Sequence, residues 1–203
     1  MRALSPLGGL LLGCVPHLQT PAGAEPTGSG GSASGSDYVA PVNSWDVGDP
    51  PPATLAPEGF AEGEVFPDLR LIDQHGDEVS FWQWYGMVVA VDLSTMWCGP
   101  CKELAHEVQI TWDDYRDEGF IYVTMLSQDN AGAPPDVDDL NVWADQFEIE
   151  APVLSDDGTY ANAIVPDQAW PRILVIGRDM RVFEGQVTPA KDDAIRATIE
   201  AAL

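Results

Sequence analysis

Trp97-Cys98-Gly99-Pro100-Cys101 is the stretch on which the reading of this chain turns. It follows an apolar run, Met87-Val88-Val89-Ala90-Val91, and a lone acid, Asp92. Downstream, Cys101, Leu104, Ala105, Val108, Trp112 and Tyr115 recur at helical spacing and share one face. The two cysteines therefore sit where a buried strand hands over to a helix. Positions i and i+3 of a helical turn are neighbours. A disulfide needs Cα atoms roughly 4.4–6.8 Å apart, and this spacing meets the need. Cys98 falls at the helix N-terminus, where free N–H groups and the dipole favour a thiolate. Pro100 fits a first turn, because a first-turn residue needs no intrahelical N–H bond.

Composition bounds what such a thiol pair serves. The 203 residues include 33 acidic and 9 basic side chains, for a formal charge of −24. Phosphate binding needs basic residues, so the charge argues against nucleic acid as a partner. It also argues against electrostatic docking on anionic lipid. The plain reading is a solvated surface; the sharper one is adaptation to high salt or to a basic partner. Hydrophobic content of 45% supports one packed core, and the length suggests one domain plus extensions. No run of 18 or more apolar residues is present, so no membrane-spanning helix is expected.

Three regions follow in order. Residues 1–14 place Arg2 before a short apolar stretch ending Leu11-Leu12-Gly13-Cys14. In outline that is a secretory signal, and its ending resembles a bacterial lipobox, in which the cysteine becomes the lipidated N-terminus. Cys14 is the lipidation candidate; an ordinary signal peptide with an incidental cysteine is the alternative. Residues 15–57 are rich in Gly, Ser and Pro and read as a flexible linker, although Tyr38 to Trp45 is less polar and suited to docking. Residues 58–203 form the folded domain. Leu69–Ile72 and Glu78–Ser80 read as strands around Asp73-Gln74-His75-Gly76, with Phe81–Tyr85 a short helical turn. Met87–Leu93 and Phe120–Leu126 read as buried strands. A helix carries Leu140, Trp143, Ala144 and Phe147, and a short one runs from Thr159 to Ile164. Arg172–Ile176 and Met180–Glu184 form a hairpin, and a last helix starts at Thr188-Pro189. This order predicts an α/β fold: a mixed central sheet with helices on both faces and an N-terminal strand extension.

The string from Val91 to Lys102, with Asp92 six residues before Cys98, resembles thioredoxin. The Pro67-Asp68 opening and the Asp73-Gln74-His75-Gly76 turn make the chain more similar to extracytoplasmic thioredoxin-like proteins of the redoxin and TlpA type. The resemblance covers about residues 60–203 and implies the thioredoxin fold. It implies a thiol–disulfide oxidoreductase outside the cytoplasm, on the periplasmic side, exchanging disulfides with protein thiols. Cys98 attacks and Cys101 resolves. Pro171 opens the strand facing the dithiol with a cis bond, where a partner chain pairs as an added strand. Trp97, Gly99, Pro100, Trp170 and Pro171 are the expected substrate-binding positions. Trp170 departs from the small or β-branched residue usual there and narrows the groove. Asp92 stands where thioredoxin has its buried acid. Burial raises a carboxyl's pKa, which suits Asp92 to accept the proton of Cys101. Its alternative is an acid at the strand's end, turned to solvent.

Other chemistries fit less well. A zinc site wants a second cysteine pair; His106 alone does not complete one, so no metal is expected. No cofactor is needed, because the two sulfurs carry the electrons. Copper delivery of the Sco type uses another spacing and a later histidine. A peroxidase of the peroxiredoxin type is the main rival: Thr95 stands three residues before Cys98, but Val91 replaces the expected proline and Arg172 is the sole evident arginine. A purely structural disulfide or a redox-inert binding module on the same fold completes the set. A monomer is expected, membrane-bound by a lipid anchor only. Expressed full-length protein should then partition into membranes and lose that behaviour on Cys14→Ser; equal recovery of both forms in the soluble fraction would remove the anchor.

Overall fold

In the computed structural model, which describes residues 38–203, seven strands make one sheet. They are β1 (Arg70–Asp73), β2 (Glu78–Ser80), β3 (Val88–Ser94), β4 (Phe120–Leu126), β5 (Val153–Ser155), β6 (Arg172–Ile176) and β7 (Val182–Glu184). Four α-helices accompany them: α1 (Gly99–Tyr115), α2 (Val137–Phe147), α3 (Thr159–Ile164) and α4 (Asp192–Ala202). The signal-like segment with Cys14, and the linker up to residue 37, lie outside the described residues.

The strand order is β2-β1-β5-β4-β3-β6-β7. Strands β3, β4 and β5 are parallel; the β1–β2 and β6–β7 hairpins join them antiparallel. Strands β3 and β4 are buried along all seven residues, as apolar runs covered on both faces should be. Crossovers β3–α1–β4 and β4–α2–β5 step the same way across the sheet, so right-handed connections put α1 and α2 on one face. That face also takes Ile195 and Ile199 of α4, and its core contains Val88, Ala90, Tyr122, Cys98 and Cys101. The other face is covered by α3 and the 3₁₀ turn Phe81–Trp84, which bury Ile164, Phe81, Trp82 and Trp84 against Val89, Val91 and Leu93. The aromatic turn is therefore core, and Trp82 Nε1 donates to Phe66 O at 2.8 Å.

Helix α1 runs into a 3₁₀ turn, Arg116–Glu118, and stops at Gly119 with φ 77°. A side chain in that left-handed conformation costs about 1–2 kcal/mol, which is why glycine ends the helix there. The start expected for the last helix is corrected. Helix α4 begins at Asp192, after Lys191. Thr188 Oγ1 donates to Gln186 O at 3.3 Å instead of capping a helix, and the Thr188–Pro189 bond is cis. The first turn of α4 carries Asp192 and Asp193, whose negative charge suits the free N–H groups.

From Tyr38 onward the chain already lies against the domain. Asn43 Nδ2 donates to Glu78 O at 2.8 Å, and Gly48 N donates to Gln83 O at 2.7 Å. Leu55 joins the core. Trp45 stacks on His75 with 5.5 Å between ring centroids, and its Nε1 donates to Asp73 Oδ2 at 2.6 Å. Asp73 is fully buried, and its other oxygen accepts from His75 N and Asp77 N, both at 2.9 Å. This carboxylate thus closes the β1–β2 turn and latches the strap. Trp45→Phe strands Asp73 Oδ2 without a donor and should lower stability by about 1–3 kcal/mol. Urea unfolding reads the loss; an unchanged midpoint would mean that the strap does not hold the turn.

Candidate active site

The C-terminal end of β3 delivers the cysteines. Ser94 ends the strand, Thr95 O accepts from Cys98 N at 3.2 Å, and Cys98 is the N-cap of α1. Cys98 and Cys101 form a disulfide with Cα atoms 5.3 Å apart. Cys101 N donates to Cys98 Sγ at 3.2 Å, so the sulfur takes the place of a capping oxygen. The same N–H and the positive end of α1 would stabilise a thiolate on Cys98 once the bond is reduced. Cys98 keeps 4% of its surface and Cys101 none. The N-cap cysteine is thus the more accessible residue of the two.

Trp97, Gly99 and Pro100 are the exposed rim around that sulfur. Trp97 is 49% exposed, and its indole N–H donates to Gln128 Oε1 at 2.8 Å. Gln128 O also accepts from Met96 N at 2.9 Å, so this residue beyond β4 holds the rim from two sides. Nothing approaches within 4 Å of where a Cβ on Gly99 would sit. Pro100 borders a groove of about 400 Å³ between α1 and the start of α4, walled by Leu104, Ala190 and the acids Glu103, Glu107 and Asp192.

The head of β6 arrives from the other side. Leu93 pairs with Arg172 in the antiparallel register, so Pro171 lies one residue past the last pair, at the same end of the sheet as the dithiol. The Trp170–Pro171 bond is cis. The Trp170 ring is half-buried and packs against the cores of both faces. Arg172 Nη2 meets Asp167 Oδ1 at 2.9 Å. By strand alternation Arg172 faces away from Ile173, which packs with the cysteines.

Asp92 is fully buried, so the solvent-turned alternative is set aside. Alternation with Val88 and Ala90 puts it on the α1 side of the sheet, the side that holds both cysteines. Ser94 Oγ donates to Asp92 Oδ1 at 2.6 Å, while Asp92 Oδ2 has no hydrogen-bond partner among the described residues. Burial pushes the carboxyl up to about 7, and the Ser94 hydroxyl pulls partly against it. Beside it, burial raises the Tyr122 phenol well above its usual range, and the Asp92 and Asp192 charges add to the effect. Gln128 and Ser94 are the site residues that sequence reasoning missed. Ser94 was within reach, because two residues along a strand return to the same face. Gln128, 31 positions from Trp97, carries no local signal.

A dithiol at a helix N-terminus, fed by the central strand of a mixed sheet, defines a thioredoxin-like protein. The model of the AhpC/TSA family matches residues 63–183, more than half of the chain, which therefore belongs to that family. Solved structures agree on the fold. The thioredoxin domain of a thiol-disulfide oxidoreductase from Bacteroides vulgatus superposes with a TM-score of 0.58 at 17% identity, over 70% of this chain and 96% of that one. A proposed thiol:disulfide interchange protein DsbE from Chlorobium tepidum gives 0.58 at 24% identity, over 70% and 97%. A secreted Mycobacterium tuberculosis disulfide oxidoreductase, homologous to E. coli DsbE, gives 0.53 at 17%, over 66% and 96%. No curated protein sequence matches the chain. The thioredoxin fold expected from Val91–Lys102 is thus that of the protein, and its family agrees with the redoxin type expected from Pro67-Asp68 and the Asp73–Gly76 turn.

The buried acid has a thermodynamic signature. Its folded pKa, about 7, lies above the unfolded value, so folding favours the neutral form. That contribution is complete below about pH 4 and is lost as the pH rises to about 7, on the order of 4 kcal/mol in all. Asp92→Asn carries no such loss. The variant should gain stability over the parent between pH 4 and pH 8, by denaturant unfolding at each pH; a difference that does not change with pH would return Asp92's charge to water.

Proposed function

We propose that this protein is a thiol–disulfide oxidoreductase that exchanges disulfides with protein partners. The observation that supports it most is the Cys98–Cys101 disulfide closing the first turn of α1, with the Cys101 N–H on Cys98 Sγ. In the reduced protein the Cys98 thiolate attacks a partner disulfide; a Cys98–partner bond forms and one partner sulfur leaves as thiolate. Cys101 then gives its proton to Asp92, attacks Cys98 Sγ and releases the second partner sulfur. Two electrons pass to the partner, and the enzyme is left with its own disulfide. The partner chain rests against Trp97, Gly99, Pro100, Trp170 and Pro171. The Gly99-Pro100 dipeptide, shared with thioredoxin, supports work as a reductant, with a potential nearer thioredoxin's (about −270 mV) than DsbA's (about −120 mV). A lipid anchor on Cys14 and an extracytoplasmic, periplasmic-side location complete the reading, as does action as a monomer.

The AhpC/TSA family match and the Thr95 hydroxyl, buried without a partner three residues before Cys98, favour thiol peroxidase as a second reading. Against it, Arg172 is paired to Asp167 and turned from the cysteine side of β6, so no arginine there meets a peroxide.

The exchange reading makes the two cysteines unequal. Cys101→Ser should trap mixed disulfides with partner proteins, seen as reducible adducts on non-reducing gels, and Cys98→Ser should trap none and lose exchange at least a hundredfold. Adducts on Cys98→Ser alone would reverse the roles. Oxidation of the reduced protein by hydrogen peroxide faster than by a protein disulfide at equal concentration would favour the peroxidase.

A further inference from the structure

We propose that Ser94 is a positioning residue for the Asp92 base, its hydroxyl holding the ionised carboxyl ready to take the Cys101 proton. The inference rests on the exchange reading above and concerns its resolving step. Ser94 is fully buried at the end of a strand whose other residues, Asp92 apart, are Val, Ala and Leu. A hydroxyl has one proton to donate, and that of Ser94 goes to Asp92 Oδ1 at 2.6 Å. Packing alone would accept alanine there without burying a polar group.

The contact makes the two carboxyl oxygens unequal. Oδ1 is tied to Ser94; Oδ2 is buried and has no partner. Oδ2 is therefore the atom that receives the proton. Donation to the charged form favours it and offsets part of the penalty of burial. Among the described residues no other side chain supplies that offset. The neighbour on β4 is Thr124, whose Oγ1 has no hydrogen-bond partner among the described residues, with Tyr122 on the same face. Ile173 of β6 pairs with Asp92, and the same side of the sheet takes Ile195 and Ile199 from α4 and Cys101 and Ala105 from α1. Among these only Tyr122 and the cysteines titrate, and none is a cation. Asp192, which acts on Tyr122, is not among the groups that shift Asp92. In the step itself, the S–H bond of Cys101 breaks and an O–H bond forms at Oδ2. The Cys101 thiolate then bonds Cys98 Sγ, and the partner sulfur leaves with the electron pair of the broken S–S bond. Losing the Ser94 hydroxyl makes the carboxyl harder to ionise, so less base is available near neutral pH.

The test uses full-length reduced protein and an aromatic disulfide, dithiobis-nitrobenzoate, as probe. Attack by Cys98 releases one coloured thiolate and resolution by Cys101 a second, so the second phase reports the step. In the parent, that phase should rise through an inflection at about 7. Ser94→Ala should leave the first phase unchanged and move the inflection up by about one pH unit. The second phase then slows roughly threefold to tenfold at pH 7 and below, the smaller figure applying if the more basic carboxylate takes the proton faster. Ser94→Thr, which keeps the hydroxyl, should restore the parent profile, and Asp92→Asn should abolish the inflection. Carbon-13 titration of the Asp92 carboxyl in the oxidised protein reads the same shift without any turnover. A second phase slowed equally at every pH, or a carboxyl midpoint unmoved by Ser94→Ala, overturns the proposal. An inflection that survives Asp92→Asn removes Asp92 as the base and Ser94 with it. A parent with no second phase at all sinks the exchange reading itself.

Discussion

Strand β3 must be covered on both faces, and most of the architecture answers that requirement. All seven of its residues are buried. Its backbone is paired on each side, with β4 parallel and β6 antiparallel. Each apolar side chain fully buried contributes about 1.5–3 kcal/mol, and neither face can be left to water. Helices α1, α2 and α4 cover one side; α3, the aromatic 3₁₀ turn and Leu55 cover the other. A strand so enclosed has one free end for chemistry, its C-terminal end, and Cys98 stands four residues beyond it.

The redox pair draws on that enclosure twice. The helix launched from β3 points its free N–H groups at Cys98, which lowers the cost of a thiolate there. The same burial raises the cost of a carboxylate at Asp92. Burial on β3 and exposure of free N–H groups at the start of α1 thus act on two neighbouring segments of the chain in different ways. Ser94 keeps the second shift from running too far. The acidic surface is a separate matter: the ion pairs among the described residues join mostly exposed groups and add little to stability.

Much of this was written locally in the chain. The near-continuous apolar runs at Met87–Leu93 and Phe120–Leu126 marked buried strands, because a strand covered twice has no polar face to show. The spacing of Leu140, Trp143, Ala144 and Phe147 marked α2, whose buried residues are those four. Thr188-Pro189 misled for the same local reason. A hydroxyl before proline suits a helix start, but here the pair precedes a turn in which Lys191 N donates to Pro189 O at 2.9 Å, and the helix waits for Asp192. The docked strap was only half visible. Its composition resembles a linker, and its hold comes from long-range contacts such as Trp45 meeting Asp73, 28 residues away.

The sequence alone determined the central strand, the helix after it, the cysteine pair at their junction and the suspicion attached to Asp92. These are short-range properties: hydrophobic periodicity, the four-residue reach of a disulfide turn, and a charge out of place in an apolar run. Tertiary structure decided the rest. It settled that Asp92 is buried on the α1 side of the sheet and not turned to solvent, that Ser94 satisfies one of its oxygens and leaves the other, and that Arg172 turns away. It also brought Gln128 under the Trp97 indole. Each of these depends on which face a side chain takes once strands distant in sequence are in register, and register is set by the packing of the whole sheet.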